Sequence, residues 1–202
     1  MTNHWSDIAN SDCIVVIGAN PAENHPAAFG YITEAIARGA MLINVDPRFT
    51  RTSSKAHIYA KIRPGTDVAF IGGVIKYVLE DIEKNPDNYN MTYIVNYTNA
   101  AMKIDPDFEG ADQLEGLFSG YLGSHNETNN EARKYNKGTW QYQMITDAKG
   151  HVVPDRDENL ADPMCVFQVL RRHFARYDAD KVSPVSYTHL RAHETSLHLV
   201  CR

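Results

Sequence analysis

Two short stretches of this sequence carry residue types that could grip a nucleotide. The first, GANPAENH at 18–25, offers Gly18, Asn20, Glu23 and Asn24; the second, DPRFTRT at 46–52, offers Asp46 and Arg48. Each follows directly on a largely apolar run, Cys13–Ile17 and Met41–Val45. A carboxylate that ends the second strand of a strand–helix–strand unit is placed to accept hydrogen bonds from ribose hydroxyls or from the N–H edge of a purine. An arginine two residues further on presents five donors in a rigid fork that suits phosphate. Helix N-termini and loop amides converge at the same end of such a sheet.

The same residues have plainer uses. Asp46 precedes Pro47 and could simply form a turn, His25 precedes Pro26 and could cap a helix, and Arg48 could be a solvated charge. The stricter nucleotide motifs are missing, because GANPAE is not GxGxxG and no GxxxxGK[ST] occurs. No nucleophile with its base, and no pair of catalytic carboxylates, can be identified by position, so no catalytic residue is expected in this chain. Cys13, Cys165 and Cys201 are isolated thiols without CxxC spacing, which excludes a locally built iron–sulfur cluster or structural zinc. Cys13 and Cys165 read as small core hydrophobes. His189, His193 and His198, spaced four and five apart, would fall near one helix face as zinc ligands often do. However, VSYTHL at 185–190 resembles read-through of library-adapter DNA, so residues 184–202 are expected to pack on nothing and no metal ligand is assigned.

The elements that must position these loops follow from pattern. Cys13–Ile17, ending in Gly18, reads as a strand buried on both faces of a parallel sheet. Pro26 is suited to the first helical position; Phe29, Ile32 and Ile36 share a face and Gly39 supplies the stop, which predicts a helix over 26–38. Met41–Val45 is the second strand, and strand, helix, strand in so short a stretch implies a right-handed parallel unit. A short strand over 57–62 ends at Pro64 and Gly65. Thr66 or Asp67 then caps a helix over 67–84 whose buried stripe is Phe70, Val74, Tyr77, Val78 and Ile82. A short helix over 91–97 follows.

From 102 to 154 the pattern weakens, with Phe118, Tyr121, Tyr135, Trp140 and Tyr142 scattered among Gly, Asn, Ser and charge. A stretch of this kind is functional or rests on a partner, so its aromatics are expected to be exposed. An amphipathic helix over 163–177 runs through Val166, Phe167, Val169, Leu170 and Phe174. The fold class is α/β, a Rossmann-like parallel-sheet domain with an irregular extension and a C-terminal helix. Three regions are drawn: 1–100 as the α/β cradle, 101–183 as the extension with its helix, and 184–202 as the tail.

Composition agrees with one good core, at 202 residues and 43% hydrophobic. A net charge of −5 and a pI near 6.0 argue against a sequence-independent nucleic-acid binder, which needs a basic face. No apolar run reaches the roughly 20 residues that span a bilayer.

Taken in order, TNHWSDI at 2–8, IGANPAENHP at 17–26, DPRFTRT at 46–52 and IRPGTD at 62–67 closely resemble the bis-molybdopterin-guanine-dinucleotide oxidoreductases. Within that family they look most like respiratory formate dehydrogenase large subunits, and NYTNA at 96–100, GLFSGY at 116–121, RKY at 133–135 and TW at 139–140 fit the same subgroup. The likeness covers 1–182. It implies the molybdopterin oxidoreductase fold and a domain that binds the guanosine part of one cofactor arm. Asn20, Glu23 and Asn24 would line the cofactor, Asp46 would hold the guanosine with Arg48 beside it, and Gly65 to Asp67 would bring backbone and a carboxylate to the same ligand. The family's cluster cysteines, its selenocysteine or cysteine on the molybdenum or tungsten, and the neighbouring histidine and arginine have no counterpart here. The chain therefore reads as an internal fragment without the chemistry, and the 4Fe–4S cluster belongs to the parent. That parent would oxidise formate and pass electrons to an iron–sulfur subunit. It would lie on the periplasmic side of a bacterial membrane, with a cytoplasmic place left open. A nitrate reductase or another relative, and a non-catalytic nucleotide-binding module, are the alternatives.

Overall fold

A computed structural model describes residues 3–111, 113–122 and 135–186. In chain order its elements are a 3-10 turn at Trp5–Asn10, β1 (Cys13–Ile17), α1 (Pro21–Asn24), α2 (Pro26–Ala37), β2 (Met41–Val45), a 3-10 turn at Ser53–Lys55, β3 (Ile58–Ala60), α3 (Asp67–Lys84), a 3-10 turn at Pro86–Asn88, α4 (Met91–Tyr97), β4 (Met144–Thr146), β5 (Val152–Pro154), α5 (Val166–Phe174) and α6 (Ala179–Ser186). They form two compact units, Met1–Val74 with Tyr177–Arg202, and Ile75–Arg176. Packing thus divides the chain inside α3, whereas the loss of pattern in the sequence begins near 100.

In the first unit, β1, β2 and β3 lie side by side in that order and all parallel. Cys13 stands opposite Met41 and Ile17 opposite Val45, so the two candidate loops leave the same end of adjacent strands. Pro26 opens α2, where its missing N–H costs nothing because first-turn donors have no helical partner. Gly39, at φ 102, turns the chain out of the helix, a conformation that side chains rarely adopt. Phe70 and Val74 from the first half of α3 pack on Ile43, Val45, Ala60 and Ile62, with Cys13, Met41 and Ile58 at the margin. Leu42 and Val45 on the central strand are buried to 1% exposure or less, each contributing about 1.5–3 kcal/mol.

Two expectations fail here. β1 is an edge strand, not one buried on both faces: Val15 is 50% exposed and Ile17 44%. Among the described residues only β2 has a neighbour on each side, and an apolar run alone does not say which strand takes the centre. Cys13 is half-buried, enough for burial to push its thiol above the ordinary range. The second failure concerns the tail, since 184–186 continue α6. Ser186 is fully buried, its hydroxyl donates to the Val182 carbonyl at 2.8 Å, and its own carbonyl accepts from the Arg63 N–H at 2.9 Å. A helix begun at Ala179 carries its last turn onto the sheet unit whatever follows. His189, Leu190, His193, Leu197, His198, Val200 and Cys201 lie outside the described residues.

Gly72 shows how closely this unit is packed. A Cβ added there would sit 2.6 Å from the Tyr177 ring. Gly72→Ala is therefore expected to destabilise the chain by about 1–3 kcal/mol through overpacking, read from the urea midpoint. A gain from better helix propensity would show that Tyr177 swings away freely.

The second unit is built around Leu79, Ile82, Ala101, Leu160, Cys165 and Phe167, with Ile75, Val78, Ile94 and Phe174 packed against them. The expected helix over 163–177 is shorter. Cys165 has extended backbone and stands just before α5, while Leu170 is 40% exposed. Met102 to Pro154 is irregular, as expected, apart from the β4–β5 hairpin. Phe118 and Trp140 are 38% and 37% exposed, yet their rings meet edge to face at 5.7 Å and Tyr135 joins them at 5.2 Å from Trp140.

A polar turn anchors Leu160 in this core. Asp157 accepts the backbone N–H groups of Asn159, Ala161 and Asp162 at 2.6–3.0 Å, and this closes a turn in which Leu160 takes φ 56. The amide of Asp162 above all holds the Asp157 carboxyl below its ordinary 3.8. Likewise the Met164 amide, and then the Lys103 ammonium at 3.2 Å, hold Asp162 down. A depressed carboxyl contributes stability above its unfolded value and loses it as pH falls through the folded one. Urea midpoints should therefore stay level from neutrality to about pH 5 and fall below about pH 4, with a shallower fall in Asp157→Asn. An identical acid limb in that variant would remove Asp157 from the explanation.

Candidate functional site

Asp46 directly follows β2 and is only 8% exposed. One carboxylate oxygen, Oδ1, accepts the Arg48 N–H at 2.8 Å, a turn closed by its own side chain. The other, Oδ2, has no hydrogen-bond partner among the described residues. The main chain of Asp46 is fixed on both sides: its N–H donates to the Ala60 carbonyl at 3.2 Å, and its carbonyl accepts from the Tyr59 hydroxyl at 2.9 Å. Burial, and after it the Asp46 charge, push the Tyr59 phenol above its ordinary 10. Arg48 is exposed, and its guanidinium has no partner among the described residues. A nearly buried carboxylate with one open oxygen therefore stands beside an uncommitted guanidinium, at a strand's carboxyl end.

The loop after β1 is tied to this turn. Gly18, at φ 62, donates its N–H to the Val45 carbonyl at 2.9 Å and turns the chain into α1. Asn20 Oδ1 accepts from the Thr52 N–H at 3.3 Å and from the Thr52 hydroxyl at 2.9 Å. Its Nδ2 donates to Glu23, whose carboxylate lies 3.3 Å from Arg51 Nε. Asn24 shares no side-chain hydrogen bond with these groups among the described residues; its Oδ1 lies 2.7 Å from His25 Nδ1. The His25 side chain does not cap α2; its ring stacks on Trp5 at 5.4 Å and borders a shallow pocket of about 380 Å³ with His4 and Tyr31. Asn20 and Glu23 are thus joined to the second loop through Thr52 and Arg51, and Asp46 to Arg48 through one turn.

Gly65 and Asp67 stand apart. Gly65 takes φ 81 in the turn before α3, and Asp67 opens that helix, exposed. Neither shares a hydrogen bond or ion pair with the other five candidates among the described residues.

Sequence reading missed four residues that build the site. Asn44, wholly buried inside an otherwise apolar strand, donates to the Val16 carbonyl at 3.1 Å and accepts from Ser53 Oγ at 2.5 Å. Ser53 in turn accepts the Thr50 N–H at 2.8 Å, so the second loop is pinned to the sheet. Thr52 is fully buried. Phe49 is 63% exposed beside Arg48, edge-on to Tyr59 at 5.1 Å. The one signal available was Asn44, a polar residue in a core strand, which must find partners when buried.

A family model for molybdopterin oxidoreductases matches residues 1–153. The chain belongs to the molybdopterin oxidoreductase family. This molybdopterin oxidoreductase segment is 47% identical over 188 residues to the formate dehydrogenase subunit alpha of Megalodesulfovibrio gigas, and 43% identical over 189 residues to the nitrate-inducible formate dehydrogenase major subunit of Escherichia coli. Each alignment covers 93% of the chain and 17% of the relative, so the chain spans about a sixth of the curated relatives' length. The assimilatory nitrate reductase catalytic subunit of Bacillus subtilis is 38% identical over 43% of the chain. Among solved structures, acetylene hydratase from Pelobacter acetylenicus superposes with a TM-score of 0.51 at 17% identity, over 94% of this chain and 16% of that one. At that identity the likeness speaks for the fold, and the fold is the α/β one expected. Membership of the family implies a molybdopterin cofactor, and the donor set fits one: the open oxygen of Asp46 and the fork of Arg48 complement a polar ligand with N–H or O–H donors and an anionic group.

Proposed function

We propose that this molybdopterin oxidoreductase chain is the guanosine-binding part of a formate dehydrogenase large subunit. The observation that carries this reading is the breadth of the likeness: five formate dehydrogenase alpha and major subunits align over 92–93% of the chain at 38–47% identity, whereas the nitrate reductase, like two F420-dependent formate dehydrogenase alpha subunits, aligns over 40–43%. The cofactor of that reading is bis-molybdopterin guanine dinucleotide carrying molybdenum or tungsten.

Asp46 Oδ2 accepts from the guanosine, and Oδ1 keeps its bond to the Arg48 N–H, so the carboxylate binds without turning. The Arg48 guanidinium meets phosphate. Asn20 and Glu23 form the facing wall, with Asn24, Gly65 and Asp67 at its margin. Loaded with metal, the cofactor would accept the two electrons released as formate becomes CO2 and a proton, and a 4Fe–4S cluster, whose cysteines have no counterpart in this sequence, would carry them onward. This chain's residues hold and orient; none moves a proton from the substrate. An iron–sulfur electron-transfer subunit is the partner, and the periplasmic side of a bacterial membrane the location. No helix among the described residues is long and apolar enough to cross a membrane.

The test is the complete subunit carrying this sequence, purified and assayed for formate oxidation, for molybdenum or tungsten, and for guanine nucleotide released on acid treatment. All three are expected together. Nitrate reduction without formate oxidation would overturn the substrate, and metal without guanine would overturn the cofactor form.

A further inference from the structure

Thr52 has no exposed surface, yet it lies between two exposed loops. Its hydroxyl accepts the Ala22 N–H at 3.1 Å and donates to Asn20 Oδ1 at 2.9 Å, while its own N–H reaches the same oxygen at 3.3 Å. Asn20 donates onward to Glu23, and Glu23 meets Arg51. Because Arg51 and Thr52 are adjacent, the contacts close into a ring from Thr52 through Asn20 and Glu23 back to Arg51. The ring's outer end is weak, since the side chains of Arg51 and Glu23 are 79% and 50% exposed and such pairs contribute little. At its inner end Thr52 is fully buried and its partners Asn20 and Ala22 are half-buried, where an unmade hydrogen bond costs more than at the surface. The inner end therefore sets the distance between the loops.

We propose that Thr52 is a positioning residue that fixes the loop at 18–25 against the turn at 46–48 and so sets the width of the guanosine site. This rests on the reading that these two loops grip guanosine. Threonine suits such a position because its hydroxyl donates once and accepts as well, and branching at Cβ restricts its χ1. Valine has nearly the same shape and can make neither side-chain bond. The second loop keeps its own attachment, Asn44 to Ser53 to Thr50, which does not pass through Thr52. Removing the Thr52 hydroxyl thus leaves the first loop held to the second, among the described residues, only by the longer Thr52 N–H bond to Asn20 and the exposed Glu23–Arg51 pair, and leaves Asp46 in place.

The test uses the 202-residue chain, ¹⁵N-labelled, as unmodified protein, Thr52→Ser and Thr52→Val. Each is titrated with GDP, the soluble counterpart of the cofactor's nucleotide end, and followed by amide hydrogen exchange. Thr52→Ser is expected to bind within about twofold of the unmodified chain and to keep its Ala22 amide protected. Thr52→Val is expected to bind about tenfold more weakly and to expose the Ala22 amide, with the β2 amides unchanged. Rescue by serine separates positioning from general loss of structure. Unchanged GDP affinity in Thr52→Val, with Ala22 exposed, overturns the role of Thr52 alone. Absence of GDP binding by the unmodified chain overturns the guanosine reading beneath it, and is seen before any variant is made. Should Thr52→Val not fold, Asn20→Ser, too short to reach Thr52, takes its place, with the same loss expected and the same overturning result.

Discussion

In the complete subunit, Asp46→Ala is expected to lower the guanine nucleotide recovered with purified protein by about tenfold or more while leaving the fold intact. A hydrogen bond to an ionised carboxylate contributes about 1.5–3 kcal/mol, which is tenfold or more in affinity. Asp46 is 8% exposed and keeps one oxygen open, so the bond forms in a place that water reaches poorly. The variant also loses the Arg48 N–H bond, but the main chain of Asp46 stays held through Ala60 and Tyr59. Asp46→Asn should lose less if ribose hydroxyls are the donors, since the amide oxygen still accepts. Equal nucleotide content in Asp46→Ala and the unmodified subunit would reduce Asp46 to a turn former before Pro47.

The largest stability effect is expected at Asn44. Asn44→Ala removes one buried and one part-buried hydrogen bond at once, leaving the Ser53 hydroxyl and the Val16 carbonyl without them, and also opens a small cavity beneath the second loop. Unsatisfied buried groups cost about 1–3 kcal/mol each, so a total loss of about 2–4 kcal/mol is expected in urea unfolding. Because Ser53 in turn holds the Thr50 N–H, hydrogen exchange should quicken through 50–53 as well. A change below about 0.5 kcal/mol, the size usual for surface substitutions, would show that the network is not what holds the loop.

The sheet unit was legible because its signals are local. Pro26, Gly39 and the two apolar runs fix a strand, a helix and a parallel partner within residues 13–45, while the register of Cys13 against Met41 comes from the structure. The order of strands was not legible, since Val15 and Ile17 look like core residues until their neighbours in the sheet are known. Asp46 and Arg48 could be named from position alone. Thr52 could not, because its importance lies in Asn20, 32 residues earlier, and no periodicity reports a contact at that separation. The start of α5 was likewise hidden: the Asp162 side chain accepts the Met164 N–H at 2.8 Å, a side-chain-to-backbone bond that competes with the helix.

Recognition of guanosine by the loops at 18–25 and 46–52 is tested most directly by backbone amide shifts in the ¹⁵N-labelled chain as GDP, and separately ADP, is added. Saturable shifts centred on Asn20–Glu23 and Asp46–Arg48, stronger for GDP than for ADP, are the expected result when the Asp46 carboxylate pairs with the base, because guanine presents adjacent N1–H and N2–H donors and adenine does not. Equal response to the two nucleotides, or shifts centred on the aromatic cluster of Phe118, Tyr135 and Trp140, would contradict it.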